Sequence, residues 1–182
     1  MRVLALSGSL REPSNTRRAL AVSLDAAARA GAETGWLSLD GLPFVDGRPY
    51  DQYDGRVATF RKELLAADAL LVGSPEYHGS FSGVLKNALD LVEPDELRGK
   101  LVGLVATARG DAGAMNTLNH LRQVARWVGA WVLPAQVSVP RAQEAFAPDG
   151  RVVREGLAGE LEQLGAELVR YGKLLAMGTG TP

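Results

Sequence analysis

Short apolar runs alternate with longer segments of helical periodicity along the chain, and this alternation limits the possible folds more than any other feature. Strands are predicted at residues 2–7, 34–39, 69–73, 101–106 and, broken around Pro134, 131–133 with 136–139. Helices are predicted at residues 15–30, 56–67, 82–92, 114–128 and 154–177. Alternating strands and helices give a parallel sheet with right-handed crossovers. We therefore expect an α/β fold in which residues 1–182 form a single domain.

Three loops with polar residues or glycines follow the first, third and fourth predicted strands, at residues 7–16, 73–83 and 107–113. The carboxyl ends of parallel strands meet at one edge of the sheet, where open α/β sheets bind their ligands. In a doubly wound sheet of order 2-1-3-4-5, the switch point lies between strands 1 and 3. The first two loops would flank that crevice and the third would stand beside them, so one site is predicted from three loops.

The first loop has the chemistry of a phosphate site. It carries hydroxyls at Ser9, Ser14 and Thr16 and an amide at Asn15, and a predicted helix begins directly behind it. Backbone N–H groups and the helix dipole favour an anion at such a place, and Arg11 can add a charge-assisted hydrogen bond. Neither a G-x-G-x-x-G nor a P-loop pattern is present. Ser14 taken alone is better explained as an N-cap.

The second loop contains Pro75-Glu76-Tyr77-His78-Gly79. Proline fixes the turn, glycine allows a close backbone approach, and tyrosine offers a flat face. An ordinary strand-to-helix turn is the alternative explanation. For Glu76, capping of backbone donors is favoured over a role as general base. His78 is more readily explained as a ring contact or a surface residue than as an acid.

The composition argues against several classes of function, from nucleic-acid binding to metal chemistry. The net charge of −1 gives no field for nucleic acid or an anionic membrane. With no cysteine and two histidines, the chain is not expected to hold disulfides, a thiol nucleophile or a metal. No apolar run reaches the roughly 18–20 residues of a membrane span, and the first residues lack a signal-peptide pattern. A cytoplasmic location is therefore expected, and His120, Trp127 and Trp131 are expected in the core or in a subunit interface.

Two motifs together carry a family resemblance. Gly8-Ser9-Leu10-Arg11 is followed by Ser14-Asn15, and Pro75-Glu76-Tyr77 is followed by Ser82-Gly83-Val84-Leu85-Lys86-Asn87-Ala88-Leu89-Asp90. Over about residues 1–140 the chain resembles the NADPH-dependent FMN reductase family. This resemblance implies a flavodoxin-like three-layer sandwich, with a five-stranded parallel sheet of order 2-1-3-4-5 and helices on both faces.

The resemblance also implies roles for individual residues. The FMN phosphate would be held by Ser9, Arg11, Ser14, Asn15 and Thr16. The isoalloxazine ring would lie along Pro75, Glu76, Tyr77 and His78. The third loop, at the other edge of the flavin, would contribute Thr107, Arg109, Gly110 and Gly113. His78 stands where the family usually has asparagine, so a side-chain contact to the ring at that position would differ from the family's, while the backbone contacts would remain. No catalytic side chain and no metal ligand is assigned.

The expected function is that of an NAD(P)H-dependent oxidoreductase with FMN as cofactor and NADPH or NADH as electron donor. The acceptor would be a small molecule such as a flavin, a quinone, an azo compound or a metal oxyanion, and the family suggests a homodimer or homotetramer. An electron carrier of flavodoxin type and a non-redox binder or hydrolase of a phosphate ligand remain alternatives. Candidates to meet a 2′-phosphate of NADPH are Arg11, Arg17, Arg18 and Arg109.

Overall fold

The computed structural model describes residues 1–178 of the chain. The strands are β1 (Arg2–Ser7), β2 (Glu33–Leu37), β3 (Ala69–Tyr77), β4 (Ser80–Phe81), β5 (Leu101–Thr107) and β6 (Trp131–Val139). The helices are α1 (Asn15–Arg29), α2 (Gly55–Ala66), α3 (Gly83–Asp90), α4 (Pro94–Leu97), α5 (Met115–Trp127) and α6 (Leu157–Gly178). A 3₁₀ turn, Tyr50–Gln52, interrupts the long loop after β2.

Five of the strands form a parallel sheet in the order β2-β1-β3-β5-β6. Its central strands are continuously apolar because helices cover both faces; every residue of β5, for example, is buried. The predicted order, 2-1-3-4-5, is confirmed for these strands. The structure adds a sixth strand, since the two residues of β4 pair antiparallel with the end of β3.

Two apolar cores lie on opposite faces of the sheet. One packs α1 and α6 against the sheet, through side chains such as Leu20 and Leu164. The other packs α2, α3 and α5, through side chains such as Phe60, Leu85 and Leu118. The predicted three-layer arrangement with helices on both faces is therefore confirmed.

Helices α1 and α6 approach closely at a glycine. A Cβ at Gly165 would overlap the carbonyl oxygen of Ser23, because it would lie far inside the contact distance of the two atoms. One turn earlier in α6, the carbonyl of Leu161 accepts a hydrogen bond of 2.8 Å from the Ser23 hydroxyl, in a buried position. This crossing holds α1 against α6. It therefore helps to determine the position of the first turn of α1 at the edge of the sheet.

The structure differs from the sequence predictions in several segments. Strand β3 continues to Tyr77 instead of ending at residue 73, because the chain folds back on itself to form β4. Strand β6 is continuous through Pro134. Its pairing with β5 shifts register between Val102 and Leu104, and such an irregularity accommodates a proline, which has no N–H to donate. The last helix begins at residue 157 rather than 154.

Three aromatic residues expected in the core or an interface lie at the surface. His120 is exposed, and Trp127 and Trp131 are 90% and 64% exposed. The prediction of core packing is therefore wrong for them, and the interface alternative remains a prediction. Among residues 1–178, no helix has both the length and the apolar character needed to cross a bilayer.

Candidate functional site

A cavity of about 460 Å³, here called the edge cavity, opens at the carboxyl edge of the sheet. It is lined by every residue that the sequence predicted for the cofactor: Ser9, Arg11, Ser14, Asn15, Thr16, Pro75, Glu76, Tyr77, His78, Thr107, Arg109, Gly110 and Gly113. The structure thus brings the three predicted loops into one place. Additional lining residues are Pro13, Gly79, Ala108, Ala112, Ala142 and Gln143.

The first turn of α1 forms one end of the edge cavity. Ser14 has an extended backbone and its hydroxyl accepts a hydrogen bond of 3.1 Å from the N–H of Arg17, so Ser14 is an N-cap, as predicted. The buried hydroxyl of Thr16 lies 2.7 Å from that of Thr107, which ties α1 to the end of β5. No acidic side chain occupies the first turn of α1. This end of the cavity is therefore favourable to an anion.

The chain entering α1 is tightly attached to the neighbouring loop. The N–H of Gly8 donates to the carbonyl of Gly73 at 2.8 Å. A Cβ at Gly8 would lie 2.6 Å from the hydroxyl oxygen of Ser82, the N-cap of α3. Glycine is needed at residue 8 because α3 approaches so closely there. The next residue, Ser9, accepts a hydrogen bond of 3.4 Å from the N–H of Arg11 and so curves the loop toward the cavity.

The second loop is a hairpin whose turn constrains residue type. His78 and Gly79 both have positive φ, 51° and 79°, between the paired residues Tyr77 and Ser80. Two-residue hairpin turns with positive φ at both positions favour asparagine followed by glycine. Histidine is among the few other residues that adopt this conformation. The residue type at position 78 is therefore set first by the backbone of the turn.

Helix α5 holds this hairpin in place from the side. The carboxylate of Glu76 accepts a hydrogen bond of 3.2 Å from the N–H of Thr117, in the first turn of α5. Helix α5 lacks a side-chain cap of its own at Ala114, so Glu76 satisfies one of its free donors. One turn further on, His120 Nδ1 lies 2.9 Å from the Ser80 hydroxyl. Capping, the favoured explanation of Glu76, is what the structure shows.

The third loop is joined to the loop that follows β6. The N–H of Ala142 donates to the carbonyl of Ala108 at 2.9 Å, and the amide of Gln143 donates to the carbonyl of Arg109 at 3.3 Å. Sequence reasoning missed Ala142 and Gln143, although their loop also leaves a strand at the carboxyl edge. Outside the edge cavity, Arg141 of the loop after β6 donates a hydrogen bond to Asp111 of the third loop, and this bond and the arginine charge lower the pKa of that carboxyl.

The edge cavity combines positive charge, which suits an anionic ligand, with an exposed aromatic side chain, which suits a flat, apolar group. Arg11 and Arg109 are exposed and form no ion pair among residues 1–178. Tyr77, at the hairpin, is 45% exposed. Hydroxyls and a helix N-terminus at one end, with glycine-bearing loops at the other, fit a flavin phosphate and its ring. In the part of the chain that the structure describes, no three His, Asp or Glu side chains are grouped as a metal site requires.

Comparison with known proteins gives a consistent result. The family described as NADPH-dependent FMN reductase matches residues 1–144. An FMN-dependent NADPH-azoreductase of Staphylococcus haemolyticus (strain JCSC1435) is 35% identical over 113 residues, which are 62% of this chain and 60% of the relative. The homologue from Staphylococcus aureus (strain USA300) gives the same identity and coverage. The chain thus spans 60% of the length of the curated relatives it matches.

Solved structures share the fold over nearly the whole chain. FerB, a flavoenzyme NAD(P)H:(acceptor) oxidoreductase from Paracoccus denitrificans, superposes with a TM-score of 0.81 at 26% identity, covering 95% of this chain and 97% of that chain. A flavodoxin from the domain Archaea superposes with a TM-score of 0.68 at 14% identity, covering 95% and 99%. The second likeness establishes the fold alone, and both identify the fold as flavodoxin-like.

Proposed function

The chain belongs to the NADPH-dependent FMN reductase family, and from this membership we propose that it is an NAD(P)H-dependent oxidoreductase that binds FMN in the edge cavity. The observation that carries the proposal is the convergence of three separate loops on that cavity. They place an anion-favouring helix terminus at one end and a glycine-bearing, partly apolar surface at the other. FMN has this same division between a phosphate and a ring.

The first loop would hold the phosphate. Ser9, Ser14, Asn15 and Thr16 would donate from hydroxyl, amide or backbone groups, and Arg11 would add a positive charge. The Ser14 hydroxyl accepts from Arg17 and can still donate its own proton to a phosphate oxygen. The Thr16–Thr107 contact keeps this group at a fixed distance from the third loop.

The second and third loops would hold the ring. Pro75, Glu76, Tyr77 and His78 line one side of the cavity, while Thr107, Arg109, Gly110 and Gly113 line another. The glycines leave the backbone open for close approach to a planar group. The Glu76 carboxylate already accepts a hydrogen bond from α5, and His78 occupies a turn position with positive φ. These loops would therefore position the ring through backbone contacts more than through side chains.

Bound FMN would supply the redox chemistry, accepting a hydride from NAD(P)H and returning two electrons to an acceptor. The protein would contribute position and electrostatics. The proposed acceptor is a flavin, a quinone, an azo compound or a metal oxyanion; the curated relatives are azoreductases. We also propose that the chain works as a homodimer or homotetramer.

The test is an absorption spectrum of the purified protein with FMN, recorded anaerobically before and after NADPH is added. The proposal predicts bleaching of the flavin band at a rate well above that of free FMN with NADPH. A protein-bound flavin band that NADPH does not bleach would instead indicate an electron carrier. Failure to bind FMN at all would contradict the proposed function.

Replacing His78 by asparagine is expected to leave the fold intact and to shift the reduction potential of bound flavin or the preference for acceptor. Asparagine suits the positive φ at this position, so the melting temperature should be equal or slightly higher. The imidazole lines the edge cavity, and its removal changes the polarity beside the ring. Spectroelectrochemical titration measures the potential. His78→Gly keeps the turn and should reproduce the shift; no change in either variant would leave His78 with a role in the turn alone.

A further inference from the structure

A second cavity, of about 310 Å³, lies on the other side of the loop that enters α1. It is bounded by the ends of β1 and β2 and by the first turn of α1, and we call it the Arg17 groove. Its polar lining includes Ser9, Glu12, Arg17, Trp36, Ser38 and Asp40. Ser9 lines the edge cavity as well, so only the short loop around residues 9–12 separates the two. A long ligand crossing this loop can occupy both.

Arg17 is arranged differently from the other arginines of α1. Its guanidinium carbon lies 4.2 Å from the ring centroid of Trp36. Arg18 donates to Asn15 and to the carbonyl of Pro148, and Arg29 pairs with Glu162. Among residues 1–178, Arg17 forms no ion pair and its side chain donates no hydrogen bond. The stacked guanidinium therefore keeps its hydrogen-bond donors and its charge available in the groove.

A guanidinium plane already stacked on an aromatic ring is a platform for another flat, electron-rich ring. Stacking on Trp36 also reduces the rotamer freedom that Arg17 would lose when a ligand binds. The proposed electron donor, NAD(P)H, contains a ring of this kind. Its adenine lies at the opposite end of the molecule from the nicotinamide.

The rest of the groove suits a ribose. Asp40 and Glu12 provide carboxylate acceptors, and Asp40 follows β2 closely. In dinucleotide-binding α/β folds, an acidic residue in this region of the chain accepts hydrogen bonds from ribose hydroxyls. The Ser38 hydroxyl accepts from the N–H of Asp40 at 3.2 Å, which curves the chain and orients this segment. Two carboxylates and one guanidinium favour a polar, uncharged sugar over a highly charged group.

We propose that the Arg17 groove binds the adenosine half of NAD(P)H, with adenine against Arg17 and the adenosine ribose near Asp40. The donor would then cross the loop at residues 9–12, and its nicotinamide would reach the edge cavity. This inference rests on the proposed function, and it assigns to Arg17 a role in donor binding that is separate from the flavin loops.

The kinetic test compares NADH, whose adenosine ribose carries no 2′-phosphate, with reduced nicotinamide mononucleotide, which lacks the adenosine half. Arg17→Ala should raise KM for NADH roughly fivefold or more, with kcat little changed, because a stacking contact is lost. KM for the mononucleotide should stay the same. Arg29→Ala removes an equal charge from the far end of α1 and should change neither. An Arg17→Ala enzyme with unchanged KM for NADH, or with equal losses for both donors, would overturn the proposal.

The binding test needs no turnover. ADP-ribose, which carries the adenosine half without nicotinamide, should bind the FMN-loaded wild-type protein in calorimetric titration, and Arg17→Ala should weaken it by a similar factor. Trp36→Phe, a conservative change, should weaken it too. If the wild-type protein oxidises neither NADPH nor NADH, the proposed function fails, while Arg17-dependent binding of ADP-ribose would still support the groove. Absence of that binding would overturn the groove assignment even in an active enzyme.

Discussion

Asn15→Asp is expected to weaken FMN binding by roughly 30-fold or more while making the protein slightly more stable. Asn15 is the first residue of α1 and lines the edge cavity at its anion-favouring end. A carboxylate there would repel a bound phosphate; at about 5 Å and an effective dielectric constant of about 20, one pair of charges interacts by roughly 3 kcal/mol. The change is nearly isosteric, and it both adds this repulsion and removes the amide N–H proposed to donate to the phosphate. Quenching of FMN fluorescence measures the affinity.

Two controls separate this effect from damage to the fold. Riboflavin lacks the phosphate, so its affinity should be the same for the Asn15→Asp variant and the wild-type protein. Helix α1 has no acid in its first turn, and an added aspartate should stabilise the flavin-free protein by about 0.3–1 kcal/mol in thermal denaturation. Equal losses for FMN and riboflavin would show that the first loop does not hold the phosphate.

The parallel α/β architecture could be predicted because its signal is local. Each strand is a short apolar run, and the five parallel strands alternate with helices, so the topology rules leave few arrangements. The meeting of three loops followed from the same reasoning, since the loops after β1, β3 and β5 leave the same edge of the sheet. The resemblance to a family then supplied the strand order 2-1-3-4-5 and the expected role of each loop.

Two of the three missed features depend on contacts between distant parts of the chain, and the third is a hairpin strand that is too short to recognise. Strand β4 is only two residues long, too short to give a periodicity, and its signal was the glycine after His78. The partner of Glu76 is the first turn of α5, which has no capping residue in its own sequence. The stacking of Arg17 on Trp36 joins α1 to β2 and depends on how those two elements pack. The last two of these contacts have no pattern within a single segment.

Gly165→Ala is expected to lower the free energy of unfolding by about 2–3 kcal/mol. The added methyl would overlap the backbone carbonyl of Ser23, which cannot move without shifting α1. Overpacking of this kind costs about 1–3 kcal/mol or more, and the better helix propensity of alanine offsets at most about 1 kcal/mol. For a chain of this size the melting temperature should fall by roughly 5–10 °C. Thermal denaturation followed by circular dichroism measures it.

The same substitution six residues earlier in α6 has the opposite expected sign. A Cβ at Gly159 meets no atom within 4 Å, so Gly159→Ala should stabilise the protein by about 0.5 kcal/mol through helix propensity alone. The pair thus isolates the contact with Ser23 from the general effect of alanine in a helix. If both variants were stabilised, α1 and α6 would have room to separate, and their crossing would not fix the first turn of α1 at the edge cavity. Destabilisation of Gly165→Ala alone would show that α1 and α6 pack too tightly at Ser23 to separate by the width of a methyl group.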